Sequence, residues 1–113
     1  MKNSKTDAGY ARLYHDFINR ILKGKGYSSQ KERQAAFNNS DLQQPLHTLL
    51  DKVAHNAYKI TDSDINTVKE TGYSEDQLFE LIVCAAAGQA SRQYESGLAA
   101  LAEAIEEGGK HAS

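Results

Sequence analysis

Apolar residues recur along this chain with helical spacing almost from end to end. Tyr10, Leu13, Tyr14, Phe17, Ile18, Ile21 and Leu22 fall at i, i+3, i+4 and i+7, which predicts an amphipathic helix. Arg12, His15, Asp16, Asn19 and Lys23 take its other face, and Gly24 and Gly26 end it. Ser29 and Glu32 have the spacing of a capping box, so a short helix starts there and carries Ala35, Ala36 and Phe37 inward. It stops in Asn38-Asn39-Ser40-Asp41. Pro45 suits the first turn of the next helix, where a missing N–H costs nothing. Leu46, Leu49, Leu50, Val53, Ala54 and Ala57 then form a second stripe. Thr61, with Asp64 three residues on, caps a shorter helix holding Ile65 and Val68, and Ile60 and Ile65 can staple its start. Gly72 is the stop. Tyr73 with Leu78 repeats the staple, and Ser74 with Gln77 repeats the box. No segment alternates with period two, so no sheet is expected. The fold class read from this pattern is all-α, about five helices in a single domain over residues 1–113.

The last and longest helix, predicted over residues 78–105, organises the rest. Its first half contains Leu81-Ile82-Val83-Cys84-Ala85-Ala86-Ala87, which places apolar groups on every side. Such a segment has to be covered all round, by the chain's other helices or by a second copy. The block is far shorter than the roughly 20 apolar residues that span a bilayer. After Gly88 the pattern narrows to Tyr94, Leu98, Leu101 and Ile105, stepping by four, three and four. The block near Ile82 is the expected subunit interface, Gly108-Gly109 the expected end, and residues 1–7 and 108–113 the expected flexible ends.

Composition changes this picture little. The net charge is −2, the pI near 6.1, and 25% of the 113 residues are charged. That balance argues against nucleic-acid binding, which favours a basic face. The helix–Gly72–helix outline resembles a helix-turn-helix, but its second helix offers acidic and apolar residues where base contacts need polar or basic ones. A lone cysteine cannot form an internal disulfide. No apolar segment follows the basic Met1-Lys2-Asn3-Ser4-Lys5 start, so the expectation is a cytoplasmic protein with no membrane partner.

Three groups could carry chemistry. Cys84 is the only thiol, but a reactive cysteine needs a nearby cation or helix N-terminus and access to solvent, and the apolar block offers neither. Its plainer reading is a small buried apolar residue. Glu80, Cys84, Gly88 and Arg92 lie on one i, i+4 ridge with Ser91 and Glu95 beside it. If the ridge lines a cleft, Glu80 would be a general acid/base and Arg92 an anion contact; otherwise it is a polar seam pairing with another helix or subunit. His47, Asp51 and His55 recur one helical turn apart, a spacing that can share a divalent metal, although a solvated polar face is the plainer reading. His15 and His111 suggest no role. No Walker loop, Cys-x-x-Cys or Gly-x-Ser-x-Gly occurs, and no cofactor is implied.

Lys59-Ile60-Thr61-Asp62-Ser63-Asp64-Ile65 and Glu70-Thr71-Gly72-Tyr73-Ser74-Glu75-Asp76-Gln77-Leu78-Phe79-Glu80, followed by the alanine-rich long helix, resemble the C-terminal part of the alkylhydroperoxidase D-like and carboxymuconolactone decarboxylase superfamily. The likeness covers residues 52–102 and rests mostly on capping and packing signals. It implies an all-α fold, assembly into homo-oligomers and, for the peroxidase branch, a Cys-x-x-Cys dithiol with a nearby histidine and glutamate. This chain has no second cysteine. If Phe79-Glu80 is laid on the start of that family's dithiol helix, Arg92, Glu95 and Ala99 stand where the two cysteines and the histidine would be. Disulfide cycling is therefore not available to it. The expected role is a non-redox, homo-oligomeric structural or interaction protein. The alternative is a small-molecule enzyme or binder, decarboxylase-like or a one-cysteine antioxidant through Cys84, with a cleft near Glu80 and Arg92.

Overall fold

A computed structural model describes the backbone of residues 2–112 and the side chains of residues 12–107. Its helices are α1 (Lys2–Lys23), α2 (Gln30–Asn38), α3 (Leu46–His55), α4 (Asp62–Lys69) and α5 (Glu75–Ala112), with one 3-10 turn at Ala57–Lys59 between α3 and α4. The fold is all-α, and no strand occurs among the described residues. Of the ends expected to be flexible, Met1 and Ser113 lie outside the described residues, as do the side chains of Tyr10 and His111. The helical spans take in the remainder, so α5 runs through Gly108-Gly109 instead of stopping there. A glycine pair ends a helix only when the chain turns back on it, and α5 continues.

The cap residues take their expected places, but at α2 only the Ser29 half of the box forms, because the Glu32 carboxylate turns to the Tyr73 hydroxyl. Ser29 Oγ accepts from the Glu32 N–H at 3.1 Å, and Asn39 ends α2 in the left-handed region at φ 51°. At α4 the box is complete: the Asp64 N–H donates to Thr61 Oγ1 at 3.2 Å, and the Thr61 N–H donates to Asp64 Oδ2 at 2.9 Å. Lys52 Nζ also donates to that carboxylate, from 2.9 Å, and with the Thr61 N–H holds its pKa below the usual value. At α5 the Gln77 N–H donates to Ser74 Oγ at 3.1 Å while the Ser74 N–H donates to Gln77 Oε1 at 2.9 Å. Pro45 stands at the cap of α3, one step earlier than its expected place. The box at α4 is worth a direct test. Thr61→Ala removes the acceptor for one otherwise unpaired N–H and is expected to lower stability by about 1 kcal/mol, read as a shift in the urea midpoint at unchanged slope.

The core lies where α5 crosses the other helices. Leu22, Ala36, Leu46, Leu49, Leu50, Val68, Leu78, Leu81, Cys84 and Ala85 are buried there, each large aliphatic among them contributing roughly 1.5–3 kcal/mol. α5 packs most extensively on α2 and then on α3. The apolar block is thus covered mainly by its own chain: Leu81, Cys84 and Ala85 are sealed, and Ile82 packs partly buried against the same cluster. α1, α2 and α3 converge on that half of α5, while Ile82 and Val83 keep partial exposure.

The second half of α5 has no such cover. Every described residue from Gln93 onward is exposed. The molecule measures 61 × 28 × 22 Å with a radius of gyration of 17.9 Å, against about 13 Å for a compact chain of this length. Leu98 is 49% and Ile105 66% exposed, and on α1 Leu13 and Phe17 are likewise uncovered.

Candidate functional site

Glu80 sits in the second turn of α5, facing the loop between α1 and α2. Its carboxylate is bound on both oxygens. The Tyr27 N–H donates to Oε2 at 2.9 Å and the Ser28 N–H donates to Oε1 at 2.8 Å. The loop comes this close because residue 26 is glycine: a Cβ there would lie 2.3 Å from Glu80 Oε2. Gln77, one turn earlier on α5, ties the same loop down by donating from its side chain to the Tyr27 carbonyl at 3.3 Å.

Arg33 completes this joint from α2. It is only 4% exposed, its Nη1 donates to the Ile21 carbonyl near the end of α1 at 2.9 Å, and its Nε lies 3.6 Å from Glu80 Oε1. That Nε has no hydrogen-bond partner among the described residues and faces Glu80 as an ion pair only. One carboxylate and one guanidinium therefore fasten α1, the loop, α2 and α5 together. Sequence reasoning missed Arg33, since nothing local separates it from the exposed lysine and glutamine around it, and arginine is rarely buried unless paired.

Cys84 lies one turn further along α5, fully buried. Burial pushes its thiol up to about 11, the negative charge of Glu80 adds to the rise, and Arg33 opposes it. The thiolate is disfavoured on both counts that matter for reactivity.

Arg92 serves a different joint. Its Nη1 donates to the Phe37 carbonyl in the last turn of α2 at 2.7 Å, and its Nε and Nη2 donate to Gln89 Oε1 at 3.3 and 3.1 Å. Gly88 lies directly beneath, where a Cβ would stand 1.8 Å from that same carbonyl oxygen. The ridge is thus turned against α2 and the preceding loop, as in the polar-seam alternative, with Glu80 and Arg92 holding separate points of the chain. Ser91, beside it, is buried and accepts a short hydrogen bond from Tyr14 of α1, whose ring also packs on Tyr94.

The His47, Asp51 and His55 series does not assemble as a ligand set. Asp51 Oδ1 accepts from Asn39 Nδ2 at 3.1 Å and lies 3.7 Å from His55 Nε2, whereas His47 Nδ1 pairs with Gln44 at 3.3 Å. No group of three or more His, Cys, Asp or Glu able to hold a metal occurs among the described residues. No described helix is long and apolar enough to cross a membrane.

Two hollows adjoin these joints. One of about 240 Å³ lies outside Glu80 and Arg33, walled by Arg20, Ile21, Phe79 and Val83. The other, about 570 Å³, lies between α2 and the loop to α3, with Leu42, Leu46 and Tyr73 on its walls. The Tyr73 hydroxyl donates to Glu32 Oε2 at 2.9 Å, and burial with that neighbouring carboxylate raises its pKa. Comparison with protein-family models, curated proteins and solved structures finds no match to this chain.

Proposed function

We propose that this chain is a non-redox helical protein of alkylhydroperoxidase D-like architecture that works as a homo-oligomer in a structural or interaction role. The observation that carries this reading is the employment of the polar ridge of α5. Glu80 accepts two backbone N–H groups and Arg92 donates to a backbone carbonyl, so the residues best suited to acid–base and anion-binding work hold the chain's own loops. The sealed Cys84 supports it further. With its thiol pushed up to about 11, roughly a thousandth or less of it is thiolate at pH 8.

Thiol chemistry gives the test. In the folded protein Cys84 is expected to resist both an aromatic disulfide reagent and hydrogen peroxide, and to react at full stoichiometry only once urea unfolds the chain. Rapid loss of the free thiol in the folded state would overturn the non-redox reading in favour of a one-cysteine peroxide scavenger. A second reading, a small-molecule binder, draws on the hollow beside Glu80, where Arg20 and Arg33 offer positive charge next to apolar walls.

A further inference from the structure

The accessible surface of the chain is 8249 Å². A compact monomer of its 12.4 kDa mass would expose about 6,100 Å². The excess, roughly 2,000 Å² per chain, is well above the ~800 Å² that each partner buries in a standard interface and lies in the range of permanent assemblies. Among the described side chains, the run from Gln93 to Glu107 is exposed throughout.

The distal half of α5 is not a random extension. Cys84, Ser91, Leu98 and Ile105 follow one another at intervals of seven, and Tyr94 and Leu101 fall three residues after Ser91 and Leu98. This is the a and d spacing of a helix that packs against another helix along its length. The first two members of the line are buried by the chain itself; the last two are open. The seam therefore continues past the point where the described side chains of this chain fill it.

Charge indicates what fills it. Between residues 93 and 107 the charged residues are Glu95, Glu103, Glu106 and Glu107, with no lysine or arginine. A second copy of the same half would bring like charge against like. By contrast α1 has Arg12, Arg20 and Lys23 against the single Asp16 over its described side chains, together with the uncovered apolar pair Leu13 and Phe17 one turn apart.

We propose that the distal half of α5 docks on α1 of a second copy of this chain, Tyr94, Leu98, Leu101 and Ile105 covering Leu13 and Phe17, and that the second copy returns the contact. The arrangement is a reciprocal exchange about a two-fold axis, so that each α5 is clothed by its own chain at one end and by its partner at the other. It rests on the homo-oligomer reading and adds the surface and its pairing.

The test is sedimentation equilibrium of the full chain and of three variants. Leu98→Lys, at a position exposed within one chain, is expected to raise the dissociation constant about 30-fold or more while leaving the folded core intact by circular dichroism. A second pair separates the pairing schemes. Glu103→Lys, Glu106→Lys and Glu107→Lys together make the distal half of α5 basic, and Arg12→Glu with Arg20→Glu makes α1 acidic. Each charge-reversed variant alone should dissociate, and mixing the two should restore assembly as a mixed pair. If the basic-α5 variant alone assembles as well as the wild type, α5 does not meet α1 and this interface is wrong, although the homo-oligomer reading stands. Full assembly of Leu98→Lys likewise overturns the interface alone. A wild-type chain that stays monomeric at every concentration overturns both.

Discussion

Gly88→Ala is expected to lower the stability of the fold by about 3 kcal/mol, an effect of the size usually seen when a large core side chain is truncated. The added methyl would stand 1.8 Å from the Phe37 carbonyl oxygen, 2.7 Å from its carbon and 2.9 Å from Phe37 Cα. All three are backbone atoms in the last turn of α2, so no rotamer change can relieve the contact; the helix itself must move. Overpacking of this kind costs roughly 1–3 kcal/mol. The displacement has a second consequence, because the same carbonyl accepts from Arg92 Nη1 at 2.7 Å. A charge-assisted hydrogen bond is worth about 1.5–3 kcal/mol, and pulling α2 outward weakens it. Alanine's better helix propensity returns about 1 kcal/mol. A urea titration with both chains at one concentration measures the net. A loss below about 1 kcal/mol would mean that α2 and α5 do not approach as closely as this.

The Gly88 contact also marks the boundary of what the sequence discloses. Cap signals are local: Ser29 with Glu32, Thr61 with Asp64 and Ser74 with Gln77 are each three residues apart; the last two form complete boxes and the first forms its Ser29 half. The buried status of Cys84 is legible for a related reason, since it stands at the centre of seven consecutive apolar residues that need cover. Gly88, in contrast, is just one glycine in a helical pattern, and its requirement is created by Phe37, a residue on another helix. Glu80 meets the same limit. Its i, i+4 ridge is correctly placed, but the ridge says nothing of the backbone N–H groups of Tyr27 and Ser28 that meet it from a distant loop. Periodicity reports which face of a helix is distinct; it does not report what stands opposite. That limit applies equally to Tyr94, Leu98, Leu101 and Ile105, whose stripe was evident from spacing although nothing in the spacing showed that the chain leaves it bare.

Glu80→Gln is expected to lower stability by about 2–4 kcal/mol, although it changes a single atom. The carboxylate presents two acceptors to two N–H donors, those of Tyr27 and Ser28. An amide presents one acceptor and one donor group, so one backbone N–H must face an NH₂ across a hydrogen-bond distance. The substitution also strips the counter-charge from Arg33, which is 4% exposed and cannot turn to water. Removing one partner of a buried pair costs about 3–5 kcal/mol; Glu80 retains 18% exposure, which argues for the lower part of that range. The charge contribution can be isolated. Adding Arg33→Met to Glu80→Gln removes the stranded cation, and the double variant should be more stable than the sum of the single losses by about 1–3 kcal/mol. The N–H conflict should remain, so recovery should be partial. This cycle also decides between the two readings of Glu80. A carboxylate kept for acid–base chemistry can become an amide at little cost to the fold, whereas one that fastens the α1–α2 loop cannot. Unchanged stability in Glu80→Gln, within about 0.5 kcal/mol, would therefore free Glu80 for chemistry in the adjoining hollow and move the small-molecule reading ahead of the structural one.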